Sequence, residues 1–78
     1  MWTLRKLAMN DIYIYHILIK GQIALDEINA MSPLQITLER IDTATTLFST
    51  RADQSGLIGL LRHWHARGLV LLAVQRER

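Results

Sequence analysis

The run IYIYHILI, residues 12–19, is apolar on both of its alternating faces. Aliphatic β-branched and aromatic residues at this density favour a strand. Ile12, Ile14, His16 and Leu18 fall on one face; Tyr13, Tyr15, Ile17 and Ile19 fall on the other. A strand with so little polarity on either side belongs in the interior of a sheet. The run LVLLAVQ, residues 69–75, repeats the pattern, with Leu69, Leu71 and Ala73 on one side and Val70, Leu72 and Val74 on the other. Two such strands in a chain of 78 residues pose a covering problem. A domain of this length buries only about 60–65% of its unfolded surface and needs reinforcement. The chain has no cysteine, so disulfides and thiolate metal sites are excluded, while 50% of its residues are hydrophobic. Self-association is the reinforcement left open.

The segments between these strands supply the remaining elements. In ALDEINAM, residues 24–31, Leu25, Ile28 and Met31 recur about once per turn, which predicts a short amphipathic helix. Pro33 stops it, because the residue before a proline is driven out of the helical region. LQITLERI, residues 34–41, alternates: Leu34, Ile36 and Leu38 on one face, Gln35, Thr37 and Glu39 on the other. It predicts a half-exposed strand. A turn at Asp42 and Thr43 and a Thr-rich strand over 44–52 complete a hairpin. Asp53 is placed to cap a helix N-terminus. Leu57, Leu60, Leu61 and Trp64 then form one stripe, and Gly68 stands where a left-handed residue ends a helix. Gly56 and Gly59 weaken that helix by roughly 1 kcal/mol each relative to alanine. Close approach of the helix to the sheet or to a partner would account for them. The closing RER reads as a frayed charged end.

The element order is β-α-β-β-α-β. It suits an α+β, ferredoxin-like sandwich: a four-stranded antiparallel sheet with the first and third strands central and both helices on one face. Residues 12–76 form this single domain and residues 1–11 an N-terminal extension. Two helices cover one sheet face only, yet the first and last strands are apolar on both. A second copy of the chain is expected to pair with it through the apolar sheet face or the strand edges, with Tyr13, Tyr15, Ile17, Val70, Leu72 and Val74 as the candidate interface of an interaction or regulatory module, and with residues 1–11 as the alternative cover. An exposed apolar face larger than a few hundred Å² marks an interface.

The second half carries DQSGLIGLLRHWHARGLVLLAV, preceded by LQITLE and TTLFSTRA. It resembles a group of small uncharacterised bacterial proteins with an LTIT-like strand followed by DQxxLxGLLxxxxxxGLxLLSV. The matching positions are Asp53, Gln54, Leu57, Gly59, Leu60, Leu61, Gly68, Leu69, Leu71, Leu72 and Val74. The first half departs from the group, since GQIALDEINAMSP lacks its helix aromatics. The resemblance implies a fold of this kind and no activity; every matched residue has a structural role.

Candidate chemistry is sparse. His63 and His65 lie two apart, so a helix points them to nearly opposite sides, whereas metal-binding pairs sit at i, i+3 or i, i+4. No metal or other cofactor is expected. His16 within an apolar strand reads as a core or interface residue. Packed against its symmetry mate it would make assembly pH-sensitive. Asp11, Asp26 and Glu27 face no nucleophile, no glycine-rich phosphate loop is present, and an enzyme is not expected.

Net charge is only +2. Arg51, Arg62, Arg67, Arg76 and Arg78 nevertheless concentrate in the second half, and Tyr13 and Tyr15 share a strand face, so nucleic-acid binding through Arg51, Arg62 and Arg67 is the competing reading. Against it, the last strand interior holds neither an aromatic nor a basic residue. A third reading is a small-ligand-sensing domain, because amino-acid-binding regulatory domains share this element order. No run is long enough to span a bilayer, no secretion signal is apparent, and a cytoplasmic location is expected.

Overall fold

The computed structural model describes residues 11–77. Residues 1–10, most of the expected N-terminal extension, lie outside the described residues. The elements follow the expected order: β1 (Tyr13–Lys20), α1 (Leu25–Ala30), β2 (Ile36–Ile41), β3 (Thr45–Ala52), α2 (Gln54–Ala66) and β4 (Leu71–Arg76). The strands form one antiparallel sheet in the order β2-β3-β1-β4, the ferredoxin-like arrangement. β1 and β3 are central, which places β2 and β4 at the edges.

Local chemistry sets the limits of α2. The Asp53 side chain accepts a hydrogen bond from the Gly56 amide at 2.7 Å, which occupies one of the free donors of the first turn. At the other end Gly68 has φ +87°. Its amide donates to His65 O at 3.0 Å, and the Leu69 amide donates to Trp64 O at 3.1 Å. This pair of bonds is a Schellman closure. It also takes Leu69 out of the last strand, so β4 begins at Leu71 rather than at residue 69. Leu69 packs against the core instead.

The two helix-interior glycines differ. A Cβ on Gly56 would lie 3.0 Å from the capping Asp53 carboxylate and 3.6 Å from the Ala52 Cβ of β3, so the tight contact there is with the helix's own cap, while the sheet lies at ordinary van der Waals distance. At Gly59 no atom of the described residues lies within 4 Å of that position. The expectation of close packing at Gly59 is corrected: the residue faces open space.

The core lies between the sheet and the helices. Ile17 and Ile19 of β1, Phe48 of β3, Ile28 of α1, and Leu60 and Trp64 of α2 are fully buried. Phe48 and Trp64 meet at a centroid distance of 6.0 Å and an angle of 59°. The Trp64 indole N–H donates to Ser32 Oγ at 2.8 Å, and Ser32 Oγ donates in turn to Ile28 O, which fastens α2 to the end of α1. Thr46 is buried between two loop groups: its hydroxyl donates to Gly21 O at 2.6 Å and accepts from the Ile23 amide at 3.1 Å. Among the described residues no buried side-chain nitrogen or oxygen lacks a partner, as a satisfied interior requires.

The structure corrects two expectations about the sheet. Ile17 was expected at an interface, but it is 0% exposed beneath the helices and can touch no partner. β4 takes the edge position that follows from central first and third strands, with Val70 51%, Leu72 49% and Val74 41% exposed. The helices pack towards β2 and β3 and leave β4 outside. The face away from the helices is also less apolar than β1 alone suggests. Ile14, His16 and Leu18 of β1 lie there opposite Arg51, Ser49 and Leu47 of β3, and Gln75 of β4 flanks His16. Cross-strand neighbours, not one strand, determine the character of a sheet face.

Candidate functional site

Two features stand out: the contrast between the two sheet edges and a groove across the open face.

At the β2 edge, the Asn29 carboxamide of α1 engages both backbone groups of Ile36. The Ile36 amide donates to Asn29 Oδ1 at 2.9 Å, and Asn29 Nδ2 donates to Ile36 O at 3.4 Å. A side chain thus occupies the hydrogen-bonding position that a further strand would take. A register break between Leu38 and Arg40, with charged Glu39 and Arg40 beside it, interrupts the rest of the edge. Bulges, charges and covering side chains are the usual means of blocking edge pairing.

The β4 edge differs. The Glu77 amide donates to Ile14 O at 2.7 Å. In an antiparallel ladder hydrogen-bonded pairs alternate with non-bonded ones. From the register, His16 with Gln75 and Leu18 with Ala73 are the next bonded pairs. Val74 and Arg76 therefore turn their N–H and C=O groups outward, away from β1, and among the described residues no strand lies beyond them. Half-exposed Val70, Leu72 and Val74 surround this stretch. Arg76 lies over the Tyr13 ring at 4.4 Å, and Tyr13 meets Tyr15 edge to face at 6.4 Å. Of the expected interface residues, Tyr13, Val70, Leu72 and Val74 are at the surface, Tyr15 is half-buried against the core, and Ile17 is within it.

The groove has a volume of about 760 Å³ and draws on all four strands or their ends. Cross-strand register lays out its floor: His16 is opposite Ser49, Ser49 is opposite Thr37, and Ile14 is opposite Arg51. His16 Nε2 and Glu77 Oε1 are 2.8 Å apart, and Ser49 Oγ donates to Glu39 Oε2 at 2.9 Å. Gln35 and Ile12 complete the walls. The serine proton goes to Glu39 and the histidine Nε2 faces Glu77, so the four residues form two separate couples rather than a nucleophile with its base. Arg51 joins no ion pair among the described residues.

The other sequence candidates are dispersed. Arg51 lies on the open face, whereas Arg62 and Arg67 are exposed on α2 and at its C-terminal end, behind the sheet. The three do not form one basic surface, which corrects the clustering expected from their positions in the chain. His63 is half-buried, His65 is exposed, and among the described residues no three His, Asp or Glu side chains converge as a metal cluster. His16 lies on the open face beside Glu77 of its own chain, not in an apolar interior.

Sequence reasoning missed Asn29, whose role depends on a strand seven residues away and carries no local signal. It also missed Glu77, read as part of a frayed end. The cue for Glu77 was its even spacing from Ala73 and Gln75, which puts it on the same face of an extended β4.

Among the described residues no helix is long and apolar enough to cross a membrane. No curated protein and no solved structure matches the chain. A family model described as a domain of unknown function, DUF8691, matches residues 14–75, a span from the second residue of β1 almost to the end of β4. The chain belongs to the DUF8691 family of domains of unknown function.

Proposed function

We propose that the chain is a non-enzymatic protein-interaction module that self-associates by antiparallel pairing of β4 with β4 of a second copy. One observation carries this reading: the β2 edge is occupied by Asn29, while the β4 edge turns the backbone groups of Val74 and Arg76 outward among half-exposed apolar side chains. An edge left open in this way is a template for strand addition. A second copy suits it because antiparallel pairing about a two-fold axis sets the apolar stretch of one β4 against the same stretch of the other. The pairing also supplies the reinforcement that a cysteine-free domain of this size needs. Lack of cysteine fits a reducing compartment, and we place the module in the cytoplasm.

Sedimentation velocity over a micromolar concentration series tests the reading. It predicts a concentration-dependent monomer–dimer equilibrium that Val74→Lys displaces towards monomer. A wild-type chain that stays monomeric through high micromolar concentration contradicts it.

A further inference from the structure

The open-face groove is separate from the β4 edge, and its chemistry selects a different kind of partner. It presents one cation, Arg51, and two carboxylates, Glu39 and Glu77. Arg51 makes no ion pair among the described residues and is flanked on β1 by Ile14. Glu39 uses one oxygen for the Ser49 hydroxyl, which leaves its other oxygen able to accept. Between the charges lie the neutral hydrogen-bonding groups of Thr37 and Ser49, which face each other across the strands, and Gln35 joins the lining.

A simple anion drawn to Arg51 would meet two carboxylates. A simple cation drawn to Glu39 would meet the guanidinium. Like charges lining one groove disfavour both. A small molecule that carries both signs satisfies the site. The groove volume, about 760 Å³, lies in the range of small-molecule sites, roughly 300–1,000 Å³.

We propose that the groove binds a small zwitterion of the amino-acid or short-peptide class, with its carboxylate on the Arg51 guanidinium and its ammonium on Glu39. The guanidinium fork matches a carboxylate in two parallel hydrogen bonds. Ile12 and Ile14 flank the carboxylate end, and Thr37 and Ser49 line the floor between the two anchors.

The test is titration of the full-length ¹⁵N-labelled chain, followed by NMR, with individual free amino acids and unblocked dipeptides at millimolar concentration. Their N-acetylated and C-amidated counterparts serve as controls. The expected result is saturable shifts at the amides of Thr37, Ser49 and Arg51 for at least one free zwitterion and none for its blocked forms. Arg51→Met and Glu39→Gln should each weaken that binding by about tenfold or more, the equivalent of one lost charge-assisted contact. Val74→Pro, which alters the opposite feature of the fold, should leave it unchanged. The proposal is overturned if no probe shifts these amides, if blocked and free probes bind alike, or if both groove variants bind as the wild type does.

Discussion

Proline substitution along β4 separates the two sides of that strand. At Val74 the amide points away from β1, so Val74→Pro removes no hydrogen bond within the chain, and edge strands accept proline at such positions. At Gln75 the amide points towards His16, its partner in the ladder. Gln75→Pro removes that bond and orphans the His16 carbonyl, a loss of about 1–3 kcal/mol. At about 4–8 °C per kcal/mol for a domain of this size, Tm should fall by roughly 5–20 °C. In a β4–β4 dimer the effects reverse. Val74→Pro deletes two symmetry-related bonds, together about 1–3 kcal/mol, which weakens dimerisation by roughly 5- to 150-fold. Thermal melts at dilute concentration read the first effect, and sedimentation equilibrium reads the second. The expected outcome is a well-folded Val74→Pro chain with impaired self-association and a Gln75→Pro chain with a depressed melting temperature. If Val74→Pro melts as low as Gln75→Pro, the assigned alternation is wrong. If it self-associates as the wild type does, β4 is not the contact.

Further substitutions test the supporting elements. Asp53→Ala removes the cap on the Gly56 amide and should cost about 1 kcal/mol, read by urea denaturation, with little change in m-value. Gly59→Ala should stabilise by up to about 1 kcal/mol, because its new methyl meets no atom of the described residues within 4 Å and the helix gains propensity; Gly68→Ala, at φ +87°, should destabilise by a similar amount. Asn29→Ala uncovers Ile36 at the β2 edge and should both destabilise the monomer and add larger species in light scattering.

What the sequence disclosed follows from how local each determinant is. Asp53 and Gly68 act within one helix turn, so their roles could be read directly. The stripe of Leu57, Leu60 and Trp64 and the alternation of Leu34, Ile36 and Leu38 report which side of an element is buried, and they led to the element order. The position of β4 was less accessible. Its letters show apolar residues on both faces, but whether a helix or solvent lies over Leu72 and Val74 depends on where α1 and α2 come to rest. Ile17 and Tyr13 share a face in the sequence, yet only Ile17 lies under a helix. The groove was legible in pieces: Gln35, Thr37 and Glu39 as the polar side of β2, and Arg51 as an exposed cation. Their assembly with His16 and Glu77 required the register of four strands. Arg62 and Arg67 looked continuous with Arg51 because a sequence does not show that a sheet lies between them.

Amide hydrogen exchange along β4 tests most directly whether its open edge accepts a second copy. In dilute protein the amides of Ala73 and Gln75 should be protected by β1, while those of Val74 and Arg76 exchange freely. Raising the concentration into the dimeric range should slow exchange at Val74 and Arg76 and leave the alternate amides little changed. Free exchange at Val74 and Arg76 at every concentration would contradict the account.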